Sequence, residues 1–140
     1  MPDIIPVMQK HLDYWWMNAC IHTGQKARME QYGVIVGWKP MLWFVRGTRG
    51  DRQAFVSDVV SGSREKETME WQQALGEASY YVEKLTSRSG LVVDFFAGGG
   101  TTCIAAERLG RPWLAFENDA EMAKRADERI CAEKRNKIKK

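Results

Sequence analysis

Residues 91–119 read LVVDFFAGGGTTCIAAERLGRPWLAFEND. Leu91, Val92 and Val93 run into Phe95 and Phe96 with only Asp94 polar between them. A short apolar run of this kind fits a strand buried on both faces of a parallel sheet. Gly98, Gly99 and Gly100 follow at once, and glycine both tolerates positive φ and lets the backbone come close to a ligand. Thr101 and Thr102 then open a helix with Ile104, Ala105 and Leu109 on its apolar side; Gly110 is placed to cap its C-terminus and Pro112 lies just beyond. The free amides at such a helix start favour an anionic group. Residues 113–116 form a second apolar run that ends at Glu117, and Asn118 with Glu121 has the spacing of a capping box for a final helix.

The order is therefore strand, acid, glycine turn, helix, strand, acid. In doubly wound α/β folds an acid after the second strand accepts hydrogen bonds from ribose hydroxyls. Glu117 stands 23 residues after Asp94 and 19 after Gly98, near the reach of about 20 that this arrangement uses. The spacing implies a cofactor of adenosine type. A Walker loop would need Gly-Lys-Ser/Thr, and no lysine follows the glycines. A dinucleotide fingerprint would need a small residue at 103, which Cys103 could satisfy, but Asp94 would repel a pyrophosphate. Asp94 suits a cationic ligand end, such as the methionyl ammonium of S-adenosylmethionine, which is the favoured reading. The plainer reading is a glycine turn that only packs a helix onto a strand.

DFFAGGGTT followed by LGRPWLAFE resembles the C-terminal half of the amino-group DNA methyltransferases, adenine-N6 or cytosine-N4, in the subclass with the catalytic motif first and the cofactor motif last. There the turn reads Asp-Pro-Phe-x-Gly-Ser-Gly-Thr-Thr; here Phe95 stands for the proline and Gly99 for the serine. Upstream, EWQQALGEASYYVEKLTSRSG resembles the helix that precedes the turn, often written His-Glu-Trp-x-Gln: Met69 replaces the histidine, whereas Glu70, Trp71 and Gln73 match. The resemblance runs from about Leu12 to Arg129. It implies an incomplete Rossmann-like α/β fold of S-adenosylmethionine-dependent type. It also implies that Asp94, Phe96, Gly98, Gly100, Thr101 and Glu117 line the cofactor pocket, with Gln73 beside it.

Members of that family also carry Asp/Asn/Ser-Pro-Pro-aromatic, which grips the target amino group and stacks on the flipped base. The prolines here are Pro2, Pro6, Pro40 and Pro112, none in such a motif. The expectation is a chain that starts after the catalytic segment: a natural truncation, half of a split enzyme or an expressed fragment. In the intact enzyme the amino nitrogen would attack the sulfonium methyl group in line. This chain would hold the donor and supply no catalytic residue of its own. By itself it should not methylate DNA. A catalytically silent cofactor-binding or assembly subunit is the second reading.

The composition is that of a modest soluble domain: 140 residues, 44% hydrophobic, net charge +3. No run reaches the length of a membrane span and no signal-peptide pattern is present. Cys20, Cys103 and Cys131 are odd in number and lack Cys-x-x-Cys spacing, so neither a zinc site nor a disulfide frame is supported, and a reduced cytoplasm is expected. Charge is uneven. Lys124, Arg125, Arg129, Lys134, Arg135, Lys137, Lys139 and Lys140 make a basic tail, read either as phosphate contacts or, preferably, as a solvated helix end. Arg46, Arg49 and Arg52 lie in RGTRGDR, on the side that faces DNA in the family, and are the candidate phosphate contacts.

The first half is less legible. Residues 4–10 suit a short helix. Residues 14–21, 34–36 and 41–46 suit strands, with a break expected at Lys39-Pro40. Trp15, Trp16, Trp38 and Trp43 could stack on bases but more often serve a core or interface. His11 and His22 have no metal-ligand spacing. Residues 51–68 read as a mobile loop and residues 70–85 as an amphipathic helix. The whole is read as a single partial methyltransferase domain, with a strand hairpin over 1–50, a loop over 51–69 and the cofactor half over 70–140. Because the family's sheet needs strands absent here, open strand edges and exposed apolar surface are expected. The chain should dimerise, by exchanging its cofactor half, or need a partner carrying the missing segment.

Overall fold

A computed structural model of the chain describes residues 3–24, 26–48, 55–62 and 73–138. Contacts divide the chain into two units, Met1–Ser63 and Arg64–Lys140.

In the first unit a short helix, α1 (Ile4–Met8), leads into the long strand β1 (Asp13–His22). A small antiparallel ribbon, β2 (Ala27–Met29) with β3 (Val34–Val36), follows, and Gly33 at φ +61 turns between them. Strand β4 (Trp38–Val45) returns antiparallel along β1, and β5 (Val59–Gly62) lies parallel on its other side, giving the order β4-β1-β5. The expected break at Lys39-Pro40 is absent. Pro40 pairs opposite Ala19, whose own N–H points the other way, to the Asp58 carbonyl at 2.6 Å. Pro40 therefore sits at a non-hydrogen-bonded position of an edge strand, where a missing N–H costs nothing. The expected loop over 51–68 is also corrected in part. Residues 59–62 form β5, because Val59 and Val60 offer β-branched residues beside an unpaired edge of β1; residues 51–54 and 63–68 lie outside the described residues.

The second unit is a βαβ arrangement with flanking helices. Helix α2 (Leu75–Leu85) precedes β6 (Val92–Asp94), α3 (Thr101–Arg108), β7 (Trp113–Ala115) and α4 (Ala120–Ile138). Strands β6 and β7 are parallel, in register Val92↔Trp113 and Asp94↔Ala115. The core joins Leu75 and Val82 of α2, Val92 of β6, Cys103 to Ala106 of α3 and Ile130 of α4. Leu109 packs against it, as its helical spacing predicts. Gly110, at φ +66, ends α3 as expected: its N–H reaches the Glu107 carbonyl (3.2 Å) and that of Arg111 the Ala106 carbonyl (2.9 Å), a Schellman pair. The amphipathic helix begins at Leu75, and residues 70–72 lie outside the described residues. The cap of α4 is Asp119, one residue past the expected Asn118, with the Asp119 carboxylate accepting the Met122 N–H at 2.9 Å.

Burial of β6 on both faces is not observed. Val92 is buried, but Val93, Leu91 and Phe95 are 40%, 57% and 66% exposed, and Leu114 of β7 is 48% exposed. One face of the pair packs on α3 and its neighbours; the other is bare apolar surface. Among the described residues no helix is long and apolar enough to cross a membrane.

Candidate cofactor turn and its groove

The turn after β6 is fixed by hydrogen bonds from both sides. Asp94, half-buried at the strand's end, accepts the Phe96 N–H on its carboxylate at 3.0 Å. The main chain of 94–97 continues to pair with the segment after β7: Phe116 donates to the Asp94 carbonyl and Ala97 to the Phe116 carbonyl, both at 2.9 Å. Gly98 and Gly100 take φ of +48 and +73, a region that L side chains enter at a cost. Gly100 has a second reason to be glycine. A Cβ there would lie 3.2 Å from Ile130 Cδ1 and 3.3 Å from Ala126 Cβ, whereas at Gly98 it would meet open space. Helix α4 thus seats on one side of the turn, and the Gly98 side stays open.

Glu117 reaches back across 19 residues. The Gly98 N–H donates to its Oε2 at 2.7 Å, and the Asp119 N–H donates to Oε1 at 3.0 Å. Chiefly the Asp119 amide, then that of Gly98, hold the Glu117 carboxyl below the usual glutamate range. A carboxylate has about four acceptor sites, so these backbone amides leave it acceptor capacity for a further donor.

Beside Glu117 lies an open groove of about 470 Å³, lined by Phe95, Phe96, Ala115, Phe116, Glu117, Asn118 and Ala123. It sits beyond the carboxyl ends of two parallel strands, the usual ligand position in open α/β sheets, and its volume falls in the range of small-molecule sites. The Phe95 and Phe116 rings stack, 5.7 Å apart and 10° from parallel. On the buried side Cys103 faces the turn's acid: burial, then the Asp94 charge, push its thiol up to about 11, so it stays neutral.

The structure brings Asp94, Gly98, Gly100, Thr101 and Glu117 together around one turn, with Phe96, 90% exposed, at the rim of the groove. Gln73 is exposed two residues before α2 and is not among the groove residues. Arg46 is exposed just after β4; Arg49 and Arg52 lie outside the described residues. Phe95, Phe116, Asn118 and Ala123 were missed by motif reading, although their places directly after parallel strands and in the first turn of α4 mark them. Two arginines were also missed. Arg111 binds the Thr86 hydroxyl (2.6 Å) and the carbonyls of Leu109 and Thr86, closing α2 onto the entry to β7. Arg129 binds the Gly99 carbonyl at 2.8 Å and the Thr101 hydroxyl at 3.2 Å. The basic tail is therefore in part internal, since Lys134 also stands 5.4 Å over the Trp113 ring. Of the tryptophans, Trp15 and Trp43 lie 6.3 Å apart, whereas Trp16 is 54% exposed. Among the described residues no cluster of His, Cys, Asp and Glu could hold a metal ion.

An acid-ended parallel strand pair, a glycine turn at a helix start and an adjoining groove are the arrangement of Rossmann-like α/β folds. The sequence model of the N6/N4 methylases, described as DNA methylase, matches residues 55–128, more than half of the chain. The chain belongs to that N6/N4 DNA methylase family. The type II methyltransferase M2.LlaDCHI of Lactococcus lactis subsp. cremoris is 30% identical over 81 residues, which are 54% of this chain and 30% of that protein. A crystal structure of the M1.HpyAVI-SAM complex superposes with a TM-score of 0.74 at 18% identity, covering 91% of this chain and 68% of that one. The cytosine-N4-specific PvuII DNA methyltransferase gives 0.74 at 15%, covering 94% and 60%. At these identities the two structures establish the fold. The matched segment spans about a third of the curated relative, and the chain covers about two thirds of the solved ones.

Proposed function

We propose that this chain is the S-adenosylmethionine-binding portion of a site-specific DNA amino-methyltransferase acting on adenine-N6 or cytosine-N4. The observation that carries the reading is the bond from the Gly98 N–H to Glu117, which ties the acid after the second strand to the glycine turn at 2.7 Å. The residues present fit the cofactor. The space over Gly98 is open, the groove is apolar and aromatic with one carboxylate, and that carboxylate retains acceptor sites. Glu117 would hold the ribose hydroxyls, Asp94 the ammonium end, and Gly98, Gly100 and Thr101 would shape the turn. Phe96 would cover the groove and Gln73 would lie beside it. S-adenosylmethionine, when bound, supplies the methyl group; the chain's own residues bind and orient it.

The grip on the target amino group would come from residues outside these 140, since no Asp-Pro-Pro-aromatic sequence occurs among them. Residues 1–140 would then be one partial methyltransferase domain. Its completion would come from a partner carrying the catalytic segment, or from a second copy exchanging the 70–140 half. The bare face of β6 and β7 supports this: parallel sheets are normally covered on both faces, and Leu91, Val93 and Leu114 here are exposed. Arg46, Arg49 and Arg52 would contact DNA phosphates. The second reading, a catalytically silent cofactor-binding subunit, rests on the same missing motif.

Photocrosslinking with radiolabelled S-adenosylmethionine, followed by peptide mapping, tests the site; label should fall within residues 94–118, and label elsewhere contradicts the proposal. Methyl transfer to unmethylated DNA separates the two readings. The chain alone should show none, and adding a polypeptide with the Asp-Pro-Pro-aromatic segment should restore it. Transfer by the chain alone would refute the first reading, and no transfer by the mixture would favour the silent subunit.

A further inference from the structure

The cofactor turn is held from the side opposite Glu117 by a residue that no motif marks. Arg129 projects from α4 and donates from Nη1 to the Gly99 carbonyl at 2.8 Å and to the Thr101 hydroxyl at 3.2 Å. The Gly100 N–H, the other end of the same peptide group, donates to the Ala97 carbonyl at 2.8 Å. The Gly99–Gly100 peptide plane is thus fixed at both ends. The Ala97–Gly98 plane, two peptides earlier, is likewise held at both ends: Glu117 accepts its N–H, and its carbonyl accepts from the Gly100 N–H.

The helix that carries Arg129 is itself fixed. Ala126 and Ile130, three residues before and one after, are each 6% exposed and pack against Gly100. One turn further on, Glu133 takes a two-pronged contact from Arg108 of α3 at 2.8 and 2.9 Å. Arg129 therefore reaches the turn from a rigid support, which is what accurate placement of a binding group requires.

We propose that Arg129 is a positioning residue for the cofactor turn: it locks the Gly99–Gly100 peptide and the Thr101 hydroxyl in the orientation that receives S-adenosylmethionine, and it does not serve the DNA-binding surface its place in the basic tail suggests. The proposal rests on the cofactor reading above. It differs from a general stabilising role in where the effect should appear, at the turn that receives its bonds to Gly99 and Thr101. Glu117 and Arg129 clamp that turn as an anion on an N–H and a cation on a carbonyl, each matched to the dipole it meets.

The test is amide hydrogen exchange by NMR on the full chain, with Arg129→Ala and Arg129→Lys, alongside calorimetry with S-adenosylhomocysteine. Arg129→Ala should speed exchange at Gly98 and Gly100 roughly tenfold, as expected for a lost charge-assisted bond on a locally opening segment. Val82 and Ile104 should keep their protection. Affinity for S-adenosylhomocysteine should fall by a similar factor, and Arg129→Lys should recover most of both, because one nitrogen makes both contacts. Unchanged exchange at Gly98 and Gly100, or equal loss of protection through α2 and α3, would overturn the proposal. Failure of the unaltered chain to bind S-adenosylhomocysteine would count against the cofactor reading instead, while the exchange pattern would still decide whether Arg129 holds the turn.

Discussion

Among the described residues of Met1–Ser63, only Asn18 and Cys20 are buried; in Arg64–Lys140, three helices and β6 bury a continuous core from Leu75 to Ile130. Both units contain strands, so secondary structure is not the difference. In the second unit each strand is followed by a helix, and α3 packs against β6, β7 and α4, all within a few tens of residues. The first unit relies on strand pairing over longer separations, such as Ala19 with Val59, and among its described residues has one short α-helix. A βαβ unit can thus hold its glycine turn from within, whereas strands paired over long separations with little helix among the described residues bury less of what they present.

The contrast breaks if core truncations cost the same in both units. Ile104, 2% exposed in the core of α3, should lose about 2–5 kcal/mol on replacement by Ala, the usual cost of a large cavity. Val59→Ala, at a position 52% exposed in β5, should cost less than about 1 kcal/mol. Urea titration followed by tryptophan fluorescence and by circular dichroism measures both.

Two glycines sharpen the same point, because their backbones match and their surroundings do not. Gly47 in the first unit has φ +75 with nothing within 4 Å of a Cβ; Gly100 has φ +73 with Ile130 and Ala126 at 3.2 and 3.3 Å. Gly47→Ala should cost about 1 kcal/mol, the left-handed penalty alone, and Gly100→Ala about 2–4 kcal/mol, the same penalty plus overpacking. Equal costs would mean that α4 does not press on the turn in solution.

The parts of the site that could be read in advance are local. Asp94, the three glycines, Thr101, Gly110 and Glu117 lie in one 29-residue stretch; Gly98, Gly100 and Gly110 take the positive φ of their turns, and Asp94 and Glu117 accept N–H groups of the turn between them. What could not be read is non-local. The exposed face of β6 depends on what covers it, so an apolar run alone overstated its burial. Arg129 and Arg111 look like solvated charge in the sequence, yet they bond groups 30 and 25 residues away. Strand β5 is too short to announce itself, and Pro40 is tolerated only because of which edge its backbone faces. The shift of the α4 cap from Asn118 to Asp119 is a one-residue choice between two good caps.

Smaller effects probe how the second unit is fastened. Thr86 donates to the Val82 carbonyl at 2.5 Å and accepts from Arg111 at 2.6 Å. Thr86→Val keeps the shape and removes both bonds, so it should cost about 1–2 kcal/mol and should speed amide exchange at the end of α2. No change would show that Arg111 is held by the carbonyls alone. Acid should act on the turn specifically. Because its folded carboxyl is held below the ordinary value, Glu117 contributes fully above the unfolded glutamate pKa of about 4.3 and loses that contribution only as pH falls further, through the lowered folded value. Protection of the Gly98 amide should therefore persist at about pH 5 and vanish in stronger acid. Loss already above pH 5 would contradict the Gly98–Glu117 bond.

The central claim is that Glu117 both closes the glycine turn and receives the ribose of the cofactor. The most direct test is a cycle of four affinities by calorimetry: S-adenosylhomocysteine and its 2′-deoxy analogue, each with the unaltered chain and with Glu117→Ala. Removing the hydroxyl should weaken binding to the unaltered chain roughly tenfold or more, the value of a hydrogen bond to a charged acceptor, and should make little difference to the variant, because the acceptor is already gone. If the hydroxyl matters equally to both proteins, Glu117 does not hold the ribose and the account of the site is wrong.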